Sequence, residues 1–196
     1  MTKHFYIFRH GECPFNITGH IQGQRFNGSL TPNGRAQAHR VGERLCGKNI
    51  EVIISSPMRR ALETAKIVQN HIGVPIYVDR RFIEVNMGIV EGMHISLAEK
   101  RFAETYAMWR NPDYQKKNIR FTGGESKEDV RRRVFEALNY YARSTSFQNL
   151  AISGHGITIS QTLLNFNIEK PDIENGAIVH IRYTRPQWEY LGFVDE

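Results

Sequence analysis

Phe5-Tyr6-Ile7-Phe8 is an unbroken apolar run, and Arg9-His10-Gly11-Glu12 follows it without a spacer. A strand with one wet face alternates apolar and polar residues. A run with no alternation is what a strand buried on both faces of a parallel sheet requires. The same succession recurs twice. Val52 to Ile54 leads into Ser55-Ser56-Pro57 and then Arg59-Arg60, and Leu150 to Ser153 leads into Gly154-His155-Gly156. Each apolar run therefore ends in polar residues suited to chemistry.

Helical patterns fill the intervals. Thr31-Pro32 has the form of an N-cap followed by proline at the first helical position, and Ala38, Val41 and Leu45 then share one face. Ser55-Ser56-Pro57 reads as a second cap and proline. Beyond it Met58, Ala61, Leu62, Ala65, Val68 and Ile72 recur at helical spacing, with Gly73 and Pro75 as the stop. Ile76 to Val78 is a short strand candidate. Ser126 with Asp129 resembles a capping box ahead of Val130, Val134, Ala137, Leu138 and Tyr141. Ala177 to Tyr183 and Trp188 to Phe193 read as a hairpin around Arg185-Pro186. Strand and helix alternate along most of the chain. The expected fold class is a three-layer α/β/α arrangement with a mainly parallel central sheet and an antiparallel edge strand.

The 196 residues suit one domain, 1–196, with no repeat or linker. Hydrophobic residues make up 40% and charged residues 23%, which excludes a disordered chain. No apolar run approaches the roughly 18 residues of a membrane helix, and no signal-peptide pattern opens the sequence. Two cysteines, Cys13 and Cys46, are too few for a disulfide framework, so a reducing, cytoplasmic setting is expected. A net charge of +6 allows an anionic partner. The basic residues are dispersed and no nucleic-acid motif is present, so neither nucleic acid nor a membrane is expected as partner. A homodimer is left open.

Open α/β sheets bind ligands beyond the carboxyl ends of their strands, which is where the three polar clusters fall. An arginine in the first turn of a helix opposes the helix dipole by about 0.3–1 kcal/mol, and that cost reverses if an anion sits there. Glycine beside each histidine removes a β-carbon that would hold an anion off the backbone. Two arginines, two histidines and free helix N-terminal amides make an oxyanion pocket, for which phosphate is the natural occupant. His4, His39, His71, His94 and His180 are expected to be surface or satisfied core residues, and Arg131-Arg132-Arg133 a solvated face. No close His/Cys/Asp/Glu spacing signals a metal, and two arginines at one spot would repel a divalent cation. A metallohydrolase built on His10, His155 and Glu84 is therefore disfavoured.

These residues resemble the histidine phosphatase superfamily, also called the phosphoglycerate mutase-like family. Arg9-His10-Gly11-Glu12 is similar to its defining signature, with Asn16 at the matching downstream asparagine. Gln22-Gly23, Leu30-Thr31 and Gly34 resemble the next block. Ser55 to Ala61 with Thr64-Ala65 resembles the segment whose second arginine binds phosphate, here Arg60. Glu84, with Gly88 and Glu91-Gly92, resembles the proton-donor segment, and Gly123 to Ser126 and His155-Gly156 complete the order. The resemblance implies catalytic His10, Glu84, Arg9, Arg60 and His155. It implies phosphate or substrate binding by Arg9, Asn16, Gln22, Gly23, Arg60, His155 and Gly156. It also implies no cofactor, no metal and a small phosphorylated metabolite as substrate.

Two positions depart from the family pattern. Cys13 stands where serine or threonine is usual, which raises a redox-sensitive thiol as an idea. His20 stands where arginine is frequent. The segment 93–122 is the expected roof over the substrate, with Ser96 to Arg110 as one helix carrying Phe102, Tyr106 and Trp109. Lys116, Lys117 and Arg120 stand near it. So compact a roof suits a phosphatase. A cofactor-dependent mutase and a non-catalytic phosphate-binding module are the alternatives.

Overall fold

The computed structural model describes residues 2–111, 118–169 and 172–194. In chain order the elements are β1 (Thr2–Arg9), α1 (Pro14–Ile17), α2 (Pro32–Leu45), β2 (Val52–Ser55), α3 (Arg59–Ile72) and β3 (Ile76–Val78). There follow α4 (Ile95–Arg101), α5 (Ala103–Arg110), α6 (Lys127–Ser144), β4 (Asn149–Gly154), α7 (Gly156–Leu163), β5 (Ile178–Thr184) and β6 (Gln187–Phe193). The six strands form one sheet in the order β3-β2-β4-β1-β5-β6. β1 to β4 are mutually parallel. β5 lies antiparallel to both β1 and β6, so the antiparallel pairing is confined to one margin of the sheet.

The unbroken apolar runs work as expected, because alternate residues feed opposite cores. Phe5, Ile7, Val52, Ile54 and Ile152 point to the face covered by Val134 and Leu138 of α6 and Ile159 of α7. Tyr6, Phe8, Ile53 and Ala151 point to the other face, against Val41 and Leu45 of α2 and Ala65 and Val68 of α3. The result is three layers. Each fully buried side chain of this size contributes about 1.5–3 kcal/mol relative to exposure.

Two caps stand as read. Thr31 accepts from the Gly34 amide at 2.9 Å. Ser126 and Asp129 form the reciprocal capping box. The helix after β2 begins later than the serine-proline signal suggested, at Arg59 with Met58 as N-cap. The Ser56 hydroxyl accepts from the Met58 amide at 3.3 Å just ahead of the helix and also engages His155 at 2.7 Å. The roof also differs from the single helix expected over 96–110. It breaks at Phe102, whose φ of −126° and ψ of 40° leave the helical region. The Phe102 ring is 6.1 Å from that of Phe121, in an edge-on contact, while Tyr106 and Trp109 pack on the same ring. The roof aromatics thus join the same buried core as α6 and the inner strands. Lys116 and Lys117 lie outside the described residues. No helix among the described residues is long and apolar enough to cross a membrane.

Candidate active site

Register brings the histidines together. β1 and β4 pair with Arg9 opposite Gly154, so His10 and His155 leave adjacent parallel strands at the same level. The His10 amide still donates to the Gly154 carbonyl at 3.1 Å. The two imidazole rings lie 5.2 Å apart in an edge-on arrangement, 2% and 0% exposed. β2 ends beside them, with Ser55 opposite Ser153. α3 then directs Arg60, 1% exposed, into the same place.

The proton positions on His10 follow from its partners. Nδ1 sits 2.7 Å from the Gly11 carbonyl oxygen, which only accepts, so Nδ1 carries the hydrogen. Nε2 receives a bond from Arg60 Nε at 3.1 Å and therefore holds the lone pair. Burial foremost, with Arg60 and Arg9 adding to it, holds His10 well below the usual imidazole range. The same effects, again with burial first, depress His155. Both rings are neutral at physiological pH. Desolvation outweighs the arginines because both rings are inaccessible to water.

Arg60 makes three bonds: to His10, to the Phe26 carbonyl at 3.0 Å and to the Gly23 carbonyl at 3.0 Å. Arg9 donates to the Ile173 carbonyl. Its Nε and the Nδ1 of His155 are buried without a hydrogen-bond partner among the described residues. Both arginines are depressed by burial, with Glu84 partly offsetting it. Glu84 reaches the site by accepting from the Ile157 amide of α7 at 3.2 Å, next to Gly156, and from the Val85 amide at 2.9 Å. A β-carbon on Gly156 would stand 3.5 Å from Arg9 Nε, so glycine keeps that approach open.

The remaining candidates occupy the rim. Asn16 Oδ1 accepts from the Cys13 amide and thiol, each at 3.0 Å. Gln22 Oε1 lies 3.1 Å from the same thiol. Gly23 meets the site through its carbonyl. His20 packs edge-on against Phe15 and His94, at 5.7 and 5.3 Å. Among the described residues no group of three or more His, Cys, Asp or Glu side chains is gathered to hold a metal ion.

Several readings change. Gly11 is glycine because a β-carbon would lie 2.1 Å from the Gly34 carbonyl oxygen; backbone packing, not anion access, requires it. Glu12 accepts from the Thr31 hydroxyl at 2.7 Å and from Asn33, locking the start of α2. The Arg131 to Arg133 run is not uniformly solvated: Arg133 donates to the Glu84 carbonyl at 3.1 Å. Sequence reasoning also missed three supports. Ser56 holds His155, Asn175 donates to the His10 carbonyl at 2.9 Å, and Thr64 accepts from the Gly11 amide at 3.1 Å. Glu91 was noted only as part of a motif, yet its carboxylate accepts from the amides of Gln24, Arg25 and Met87, fixing the loop that carries Gly23.

The family model described as "Histidine phosphatase superfamily (branch 1)" matches residues 5–196. The chain belongs to the histidine phosphatase superfamily. Within it, the chain is 33% identical to "Probable phosphoglycerate mutase GpmB" of Salmonella choleraesuis, covering 97% of this chain and 90% of that one. It is 32% identical to "Putative phosphoserine phosphatase 2" of Hydrogenobacter thermophilus over 80% of this chain and 75% of that one. Bacillus stearothermophilus YhfR superposes with a TM-score of 0.86 at 26% identity, covering 97% and 96%. A mycobacterial glucosyl-3-phosphoglycerate phosphatase shares the fold, with a TM-score of 0.84 at 22% identity over 97% and 98%. Members of the histidine phosphatase superfamily similar to this chain thus bear both phosphatase and mutase names.

Proposed function

We propose that the chain is a metal-independent phosphomonoester phosphatase acting through a phosphohistidine on His10, with a small phosphorylated metabolite as substrate. The observation that carries this reading is the state of the buried site. His10 is neutral with its lone pair on Nε2, and Arg9 Nε and His155 Nδ1 are buried without a hydrogen-bond partner among the described residues. Orphaned buried nitrogens are costly, and a tetrahedral dianion is the ligand that would satisfy such a set.

In the first step His10 Nε2 attacks phosphorus, displacing the bond that Arg60 Nε now makes to it, and the ester P–O bond breaks. Glu84 gives its proton to the departing alkoxide. In the second step Glu84 takes a proton from water, the water oxygen attacks phosphorus, the P–N bond breaks and phosphate leaves. Arg9, Arg60, His155 and the Gly156 amide hold the equatorial oxygens, where charge redistributes in the transition state. Asn16 and Gln22 contribute amide donors from the rim. Both cysteines are free thiols, in keeping with a reducing, cytoplasmic setting.

The test combines trapping with turnover. A radiolabelled phosphomonoester should leave label on the wild-type protein and none on His10→Ala. Glu84→Gln should slow turnover while still binding phosphate. Turnover should survive a strong chelator. Substantial hydrolysis by His10→Ala would end this mechanism. The relatives named as mutases favour a second reading, in which the phosphoryl group returns to an organic acceptor. Release of inorganic phosphate without an isomerised product selects the phosphatase.

A further inference from the structure

We propose that Arg133 is the positioning residue for the general acid Glu84, and that it acts with Glu125 on the backbone at either side of it. The inference rests on the role of Glu84 proposed above. Among the described residues the Glu84 carboxylate is held by two backbone amides, those of Val85 and Ile157. Where that carboxylate points is therefore decided by where the main chain around residue 84 is held.

Arg133 holds it. Its Nη2 donates to the Glu84 carbonyl at 3.1 Å and its Nη1 to the Arg81 carbonyl at 2.7 Å. Nε donates to Glu125 Oε1 at 2.9 Å and Nη2 also to Oε2 at 3.2 Å. Glu125 in turn accepts from the Asn86 amide at 2.8 Å, two residues past Glu84. Gln24 Nε2 closes the ring, donating to the Glu84 carbonyl at 2.8 Å and to Glu125 at 3.3 Å. One guanidinium thus fixes carbonyls 81 and 84, and its carboxylate partner fixes amide 86. Arg133 projects from the second turn of the 18-residue α6, a rigid base. The pair is mostly buried, with side chains 18% and 26% exposed. Only a planar fork can serve these acceptors together, so lysine would not replace it. Behind the pair lies a cleft of about 440 Å³ lined by Gln24, Asn86, Glu125 and Arg133, through which small solutes can reach it.

A positioning role for a general acid predicts a dependence on the leaving group that general loosening of the site does not. Arg133→Ala should lower kcat/KM about 10- to 100-fold for alkyl phosphomonoesters, whose alkoxides need a proton. The loss should stay within about threefold for an aryl ester with an acidic phenol, which needs none. Arg133→Lys should show the same pattern. Added methylguanidinium should restore part of the alkyl-ester activity of Arg133→Ala. In the Glu84→Gln background, Arg133→Ala should cost nothing more. Equal losses on both ester types, or a full additional loss in the double variant, would overturn the proposal. If Arg133→Ala fails to fold, Arg133→Lys and Glu125→Gln carry the same comparison. If Glu84→Gln itself shows no preference between leaving groups, the general-acid reading fails, and that result is separate from the others.

Discussion

Arg60 brings a guanidinium into a site closed to water, where its donated bonds go to one imidazole nitrogen and two carbonyls. Such a cation is poised to meet an anion. Arg60→Ala should lower kcat/KM by about 10²–10³, the usual cost of one oxyanion donor. Arg60→Lys should recover little, because a point charge cannot make three divergent bonds at once. Steady-state kinetics on one phosphomonoester checks both, and near-wild-type turnover by the lysine variant would contradict the geometry. Other residues of the site are supports. Ser56 bonds the His155 ring directly and Asn175 the His10 carbonyl, while Thr64 and Glu91 act through Gly11 and the loop of Gly23. Ser56, Thr64 and Glu91 stand in the motif blocks, but no local pattern assigns them these contacts, and Asn175 lies outside every block.

The helices explain how these residues are held. α2 starts on a doubled lock: the Thr31 side chain caps the Gly34 amide, and its hydroxyl also donates to Glu12 in the motif that carries His10. α6 starts on Ser126 and Asp129, immediately after the Glu125 that pairs with Arg133. Ser126→Ala should therefore cost about 0.5–2 kcal/mol of stability, read from urea denaturation, and no change would show the cap to be idle. These caps, the core faces of α2, α3 and α6 and the strands β1, β2 and β4 were legible in the sequence. Each is a local pattern with a local cause. The break in the roof at Phe102 was not, because the packing of rings on Phe121 overrode a continuous helical pattern. The start of α3 at Arg59 was not either, since the Ser56 hydroxyl divides between the Met58 amide and a tertiary partner, His155.

Over the whole molecule, the buried neutral histidines couple folding to pH. His10 and His155 lie well below the usual imidazole value when folded and regain it when unfolded. Above about pH 6.5 neither state binds the proton and the pair contributes no pH dependence. Below it the unfolded chain takes protons that the folded one refuses. Stability should then fall by up to about 1.4 kcal/mol per pH unit for each histidine. Denaturation midpoints at neutral and mildly acidic pH should show this slope, and His10→Gln should flatten it. His180, pushed down to about 4 by burial, then by His4, Lys48 and Arg182, adds in the same direction.

The amino-acid sequence alone was enough for the layered α/β plan, the buried strands and the gathering of His10, His155, Arg9 and Arg60 beyond the strand ends. Apolar periodicity, caps and the residues at strand ends are written in neighbouring positions. Three things were decided only when the chain closed on itself: the register that sets Arg9 beside Gly154, the tautomer of His10, and the brace from α6 to Glu84. Each depends on which distant backbone group lies within about 3 Å of a side chain, the hydrogen-bonding range. A linear pattern cannot encode that distance.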